Sequence, residues 1–211
     1  MKLYLIRHGQ TEWNITGRIQ GKTDILLNET GLYQAGLLSE AMAKRSIEAI
    51  FASPLKRAYD TACAVAAKKR LPVTPVNELR EVDFGLWEGL TWDEISKRYP
   101  ADFAAWDENP VKNTPTGGEK KESSKARCKL AMDRILNSSD GDIAIVAHGG
   151  ILVFVADYLL QAKKDRNEII VRNASITIIE YDRESGVGEL LLLNDVGHLA
   201  KAVTKTTNKY C

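Results

Sequence analysis

The chain alternates short apolar runs with longer stretches in which apolar residues return every three or four positions. Leu3-Tyr-Leu-Ile6 is an unbroken apolar run ending at a charge and a glycine, as a buried strand that delivers residues to a site would be. From Thr30 onward Leu32, Ala35, Leu38 and Met42 recur at helical spacing behind Asn28-Glu-Thr-Gly31, which supplies turn and capping chemistry. The spacing predicts a helix of about 14 residues. Ala49-Ile-Phe-Ala52 reads as a second strand. Ser53-Pro54 then has the form of an N-cap and a proline in the first helical position, and Ala58, Ala62 and Val65 continue at helical spacing. Val73 to Val76 forms another strand, with Pro75 best placed at an edge or strand end. Thr91 to Tyr99 and Ser123 to Leu136 read as helices, the second with Cys128, Ala131, Met132 and Ile135 on one face. Asp142-Ile-Ala-Ile-Val-Ala147 is the clearest buried strand; it runs into His148-Gly-Gly150 and an apolar helix from Ile151 to Leu160. Ser175 to Tyr181 and Glu189 to Leu193 are the last strands, joined by a hairpin turn at Glu184-Ser-Gly186.

Strands and helices in alternation predict a three-layer α/β/α sandwich on a mainly parallel sheet, to which the final hairpin adds an antiparallel strand. No linker divides the chain, so residues 1–211 are expected to form one domain. The least regular stretch, Asp107 to Ser124, holds Pro110, Pro115 and Gly117-Gly118, and residues 87–124 are the expected lid or substrate segment. The tail after Lys201 is polar and expected to be mobile.

Composition narrows the function classes. With 29 Lys+Arg against 28 Asp+Glu, a net charge of +1 and 44% hydrophobic residues, the chain can bury a core but carries no global field that would draw it to nucleic acid or an anionic membrane. Any anion must be held locally. Cys63, Cys128 and Cys211 are odd in number and far apart, which suggests neither a disulfide framework nor a metal knuckle and favours a reducing compartment. The N-terminal apolar run is too short for a signal peptide or a membrane span, so a cytoplasmic protein is expected. No two histidines lie three to five positions apart and no HExxH occurs, so no metal site is expected. Gly17-Arg-Ile-Gln-Gly21-Lys22 has one residue too few between its glycines for a nucleotide P-loop. Trp13, Trp87, Trp92 and Trp106 default to packing, though the last three flank the presumed crevice; His198 reads as a surface residue.

His8 and His148 each follow a predicted strand and precede a glycine, which places both at carboxyl ends of strands, where open α/β proteins bind ligands. Arg7 stands beside the first, and Arg57 lies on the helix after the second strand. Guanidinium groups at a strand-end crevice offer planar, permanently charged donors suited to phosphate oxygens. An anion site follows.

Arg7-His8-Gly9, Thr11-Glu-Trp-Asn14, Arg18-Ile-Gln20-Gly21, Ser53-Pro-Leu-Lys-Arg57-Ala with Thr61-Ala62, Leu79-Arg-Glu81, Trp87-Glu-Gly89 and His148-Gly-Gly150 together resemble the histidine phosphatase superfamily, which includes the cofactor-dependent phosphoglycerate mutases. The resemblance is ordered along residues 1 to about 150 and implies the phosphoglycerate mutase-like fold. It implies that His8 is the nucleophile that becomes phosphorylated, that Arg7, Arg57 and His148 surround the phosphoryl oxygens, and that Glu81 handles the proton. Asn14, Gln20, Gly21 and Gly149 are carried over as phosphate or substrate contacts. Pro115-Thr-Gly-Gly-Glu119 is similar to a segment of phosphatase branches, among them α-ribazole phosphatases, and makes Glu119 a candidate substrate-site residue. Lys120 and Ala147 stand where serine is frequent in the family.

The residues agree chemically with that assignment. A neutral imidazole is a competent nucleophile near pH 7, and two guanidinium groups with His148 can neutralise a transferring phosphoryl group without a metal or other cofactor. The expected function is hydrolysis of small phosphorylated metabolites, with a phosphoglycerate mutase as the alternative. The longer insertion of the mutases between the Glu81 region and the second histidine is absent, and Asp107 to Ser124 is only modestly basic. A non-catalytic phospholigand-binding protein is the second alternative; such a protein would be expected to lack one of Arg7, His8, Arg57, Glu81 or His148, and all five are present. The expected partner is a small phosphate monoester, and the chain a monomer or homodimer.

Overall fold

A side-chain period of two divides the central strands between two helical layers. The computed structural model describes residues 1–110, 112–161 and 171–200. In chain order the elements are β1 (Lys2–Arg7), α1 (Glu12–Ile15), α2 (Glu29–Ala43), β2 (Ile47–Ala52), α3 (Lys56–Lys69), β3 (Val73–Pro75), α4 (Trp92–Arg98) and α5 (Pro100–Glu108). They continue as α6 (Lys121–Leu136), β4 (Asp142–Ala147), α7 (Gly149–Leu160), β5 (Ile176–Asp182), β6 (Val187–Asp195) and α8 (Gly197–Ala200). On β1, Leu3 and Leu5 face the layer built by α6 and α7, whereas Tyr4 and Ile6 face α2 and α3. On β4, Ile143, Ile145 and Ala147 join the first layer and Ala144 and Val146 the second. This is the expected three-layer sandwich.

The six strands run in the order β3-β2-β4-β1-β5-β6, parallel from β3 to β1 and antiparallel beyond. As expected, the last hairpin adds an antiparallel strand: β5 runs against β1, and β6, antiparallel to β5, returns to the direction of β1. The chain enters β5 from the carboxyl end of β1, where Arg7 N–H donates to Ser175 O (3.2 Å) and Ala174 N–H to His8 O (3.1 Å). Starting there, β5 can only run back along β1. β6 begins at Val187, two residues before the predicted start, and forms the sheet edge.

The turn after β2 also differs. Ser53-Pro54 does not start a helix; α3 begins at Lys56 behind Leu55, which makes no side-chain cap. The Ser53 hydroxyl accepts from Leu55 N–H (3.3 Å) ahead of the helix and bonds His148, and the exposed helix start is capped from a distance by Asp24, whose Oδ1 accepts from Lys56 N–H (2.7 Å). In the segment expected to be irregular, Pro100 at the head of α5 restarts a helix that reaches Glu108, and α6 begins at Lys121. The remaining stretch is moored by its backbone: Leu86 N–H donates to Thr116 O (3.0 Å) and Glu119 N–H to Asp83 O (2.7 Å). Among the described residues no helix is long and apolar enough to cross a membrane. The polar tail after residue 200 lies outside the described residues.

The start of α2 presses on the loop that carries His8. A Cβ on Gly31 would lie 2.0 Å from Gln10 O, and one on Gly9 would lie 2.6 Å from Gly31 O. Both neighbours are backbone and cannot rotate away. Gly31→Ala is therefore expected to lower stability by about 1–3 kcal/mol, the usual cost of overpacking, read as a lower urea midpoint. An unchanged midpoint would mean that the loop yields freely.

Candidate active site

Adjacent strand ends bring the chemistry together. His8 N–H donates to Ala147 O (3.0 Å) and Ser53 N–H to Val146 O (3.0 Å), so the residues that follow β1, β2 and β4 emerge side by side. His8 is 2% exposed. Its Nδ1 lies 2.6 Å from Gly9 O, so Nδ1–H donates to that carbonyl and Nε2 keeps the lone pair. The loop is held in turn by Thr61, whose Oγ1 accepts from Gly9 N–H (3.1 Å) and donates to Arg57 O (2.7 Å). The His148 ring is fully buried, with its centroid 5.2 Å from that of His8. His148 Nε2 lies 2.8 Å from the Ser53 hydroxyl; with that hydroxyl donating, the neutral ring carries its one N–H on Nδ1.

Arg57 is fully buried and is positioned by carbonyls: Nη1 donates to Thr23 O (2.7 Å) and Nη2 to Gly21 O (2.7 Å). The turn that supplies those oxygens needs Gly21, which has φ +52° and whose Cβ would fall 1.9 Å from Glu88 Oε1. Glu88 holds the turn from outside by accepting from the N–H groups of Lys22 (2.9 Å), Thr23 (3.0 Å) and Phe84 (3.1 Å). Arg7 Nη1 donates to Val171 O. Arg7 Nε, Arg57 Nε and His148 Nδ1 are buried without a protein partner. Three such donors beside His8 Nε2 are the set that a phosphoryl oxyanion would satisfy.

Burial, then the charges of Arg7 and Arg57, hold His8 well below the ordinary histidine value; burial, then Arg57, His8 and Arg7, do the same to His148. Both rings are neutral at pH 7. Burial also lowers Arg7, and lowers Arg57 to about 10, against the opposing pull of Glu81, so both remain cations.

Glu81 sits at the head of α7. Oε2 accepts from Gly150 N–H (3.1 Å), and Oε1 from the N–H groups of Ile151 (3.0 Å) and Val82 (3.0 Å). A Cβ on Gly150 would lie 2.8 Å from Oε1. The loop behind Glu81 hangs on Arg127, which donates to the carbonyls of Glu78 (2.5 Å), Arg80 (2.5 Å) and Glu81 (3.1 Å) and forms a two-pronged pair with Glu119 (2.7 and 2.8 Å). Glu119, expected to meet substrate, thus spends its carboxylate on Arg127. The Asn14 oxygen accepts from Thr11 N–H (3.0 Å) and Asn173 Nδ2 (3.1 Å), so it caps α1, and only its amide nitrogen is left to meet a ligand. Gln20 carries a buried amide oxygen without a protein partner, and Gly149 passes beside Arg7, where a Cβ would be 3.8 Å away. His198 is partly buried on α8 rather than a surface residue. Glu88, Arg127 and Asn173 were given no role by the sequence, and Ser53 only that of a helix cap. For Arg127 the available signal was a cation next to the buried stripe of Ser124, Cys128 and Ala131.

A cleft of about 460 Å³ opens beyond Arg7 and Glu81. Trp106 lines it and rests on the fully buried Trp87, ring centroids 5.8 Å apart. A wider depression of about 740 Å³, at Met1, Asp140 and the β5–β6 hairpin, holds none of these groups, so the chemistry belongs to the smaller cleft. Among the described residues no cluster of three or more His, Cys, Asp or Glu side chains could hold a metal ion.

Comparison with known proteins agrees with this geometry. A model of the histidine phosphatase superfamily (branch 1) matches residues 3–196. Phosphoserine phosphatase 1 of Hydrogenobacter thermophilus is 37% identical over 205 residues, covering 95% of each chain. The structure of a mycobacterial glucosyl-3-phosphoglycerate phosphatase in complex with VO3 superposes with a TM-score of 0.81 at 31% identity, covering 92% of this chain and 98% of that one. The α-ribazole phosphatase of Shigella flexneri gives a TM-score of 0.83 at 27% identity, covering 92% and 96%.

The buried neutral histidines have a consequence for stability. Their native pKa values lie below the unfolded value of about 6.5, so below that pH the unfolded chain takes up protons that the native chain refuses. Stability is therefore expected to fall as pH drops from about 6.5 towards the native values, each histidine contributing up to about 1.4 kcal/mol per pH unit. His8→Asn should give a shallower slope in urea unfolding across this window. A slope equal to wild type would show that His8 is not held neutral.

Proposed function

The chain belongs to the histidine phosphatase superfamily, and on that premise we propose that it is a phosphoric monoester hydrolase acting on small phosphorylated metabolites through a phosphohistidine on His8. The observation that carries this reading is the state of His8: neutral, its Nδ1–H fixed on Gly9 O, beside Arg7, Arg57 and His148. Nε2 attacks phosphorus in line with the ester oxygen, and the bond from phosphorus to that oxygen breaks as the new bond forms. The two guanidinium groups and His148 Nδ1–H take the charge on the equatorial oxygens. The departing alkoxide takes its proton from the Glu81 carboxyl group. Glu81 then takes one from the water that attacks phospho-His8, which releases inorganic phosphate and restores the free imidazole. Roles in phosphate contact extend to Gly149, Gln20, Gly21 and the amide nitrogen of Asn14.

The substrates named for the relatives, phosphoserine, α-ribazole phosphate and glucosyl-3-phosphoglycerate, define the first panel to try. The same reading puts the enzyme in the cytoplasm as a monomer or homodimer. Free thiols at Cys63 and Cys128 support that compartment.

Phosphate release from an aryl phosphate is expected to persist in excess EDTA and to fall by at least about a thousandfold in His8→Ala, the scale of losing a covalent nucleophile. Activity that disappears on chelation, or survives in His8→Ala, would overturn the mechanism. Glu81→Gln should slow esters of poor leaving groups by about 10²–10⁴-fold and esters of good ones far less. Equal losses would remove Glu81 from the acid role.

A further inference from the structure

Resting on that reading, we infer that the cleft beyond Glu81 selects phosphomonoesters with an uncharged aromatic or alkyl leaving group and discriminates against those that carry a carboxylate. The volume, about 460 Å³, suits a small organic group. Its walls are apolar on three sides: Val82 and Phe84 follow Glu81, Val153 and Phe154 come from α7, and Trp106 comes from α5. Trp106 is fixed in place, since its ring packs on Trp87 and on Trp92, 5.0 Å between centroids in the second case. The turn after α5 is tied back as well, by Asn113 Nδ2 donating to Ala105 O (2.6 Å). The wall is built before a ligand arrives.

The charges in the lining are largely committed. Arg7 and Glu81 serve the phosphoryl group. Glu119 is paired with Arg127, and among the described residues Lys121 is the other charged side chain of the lining. A substrate carboxylate would lose water against Trp106 and Phe84, which is costly. An aromatic ring or alkyl chain in the same place gains by burial. The inference therefore departs from the name of the relative that is 37% identical, whose substrate carries a carboxylate and an ammonium group.

Benzyl phosphate against phosphoserine is the informative comparison, because both release a primary alcohol and differ in what the cleft must hold. We expect kcat/KM for benzyl phosphate to exceed that for phosphoserine by about tenfold or more, the range one apolar pocket provides. Trp106→Ala and, on a separate element, Phe154→Asn should each reduce that ratio by about fivefold, with inhibition by inorganic phosphate little changed because it reads the phosphate site alone. Lys121→Met should move both substrates alike. Equal or greater efficiency on phosphoserine, or its selective loss in Lys121→Met, would overturn the inference. Calorimetry with phenylphosphonate and phosphonoacetate ranks the same two chemistries without turnover. If phenylphosphonate binds more tightly but no ester is hydrolysed, the hydrolase reading fails and the cleft assignment stands; if phosphonoacetate binds more tightly, the cleft assignment fails whatever the hydrolysis result.

Discussion

The buried guanidinium of Arg57 is the constraint on which the rest of the site depends. A cation taken out of water is costly unless every donor meets a partner. Among the described residues no carboxylate forms an ion pair with it; the Gly21 and Thr23 carbonyls hold two of its nitrogens, and Glu81 opposes its charge across the site. That solution requires a turn that only Gly21 can make against Glu88, and requires Glu88 to bind the turn's amides. The same buried charge, with that of Arg7 and with burial, keeps His8 and His148 unprotonated. Stability, the proposed nucleophile and the proposed phosphate site thus share one electrostatic arrangement rather than separate devices.

Much of this was legible in the chain because its strands are short and end abruptly. Leu3 to Ile6 and Asp142 to Ala147 stop at histidines, and in a parallel sheet such stops coincide in space. The helical periods around Ala35 and Ala131 likewise translated directly into the two outer layers. Ser53-Pro54 misled because local capping rules assign a serine to the nearest helix, whereas this one bonds His148, 95 positions away. The pairing of β5 with β1 was hidden for a similar reason, since it depends on where the chain re-enters the sheet. Arg127 was illegible because its partners are mostly backbone carbonyls, and backbone carries no sequence signature.

Arg127 also explains why the site is more than a collection of strand ends. The carboxyl of Glu81 rests on the amides that open α7, while the carbonyls of its loop rest on a guanidinium from α6. Two helices of one layer therefore fix Glu81 and its loop. The position of Glu81 relative to His148 is set by the short path from the end of β4 into α7, where Gly150 leaves room for Glu81.

The mooring of the segment between α5 and α6 carries a further consequence. Leu86 to Thr116 and Glu119 to Asp83 are main-chain hydrogen bonds, as is the turn bond from Gly118 to Pro115. Their strength is nearly indifferent to which side chains those positions bear. Phe84, Trp106 and their neighbours can therefore be exchanged over evolutionary time while the frame that presents them stays in register with the phosphate centre. A scaffold fastened by its backbone but read by its side chains can be re-addressed to new metabolites by a few point changes, with the catalytic apparatus inherited intact.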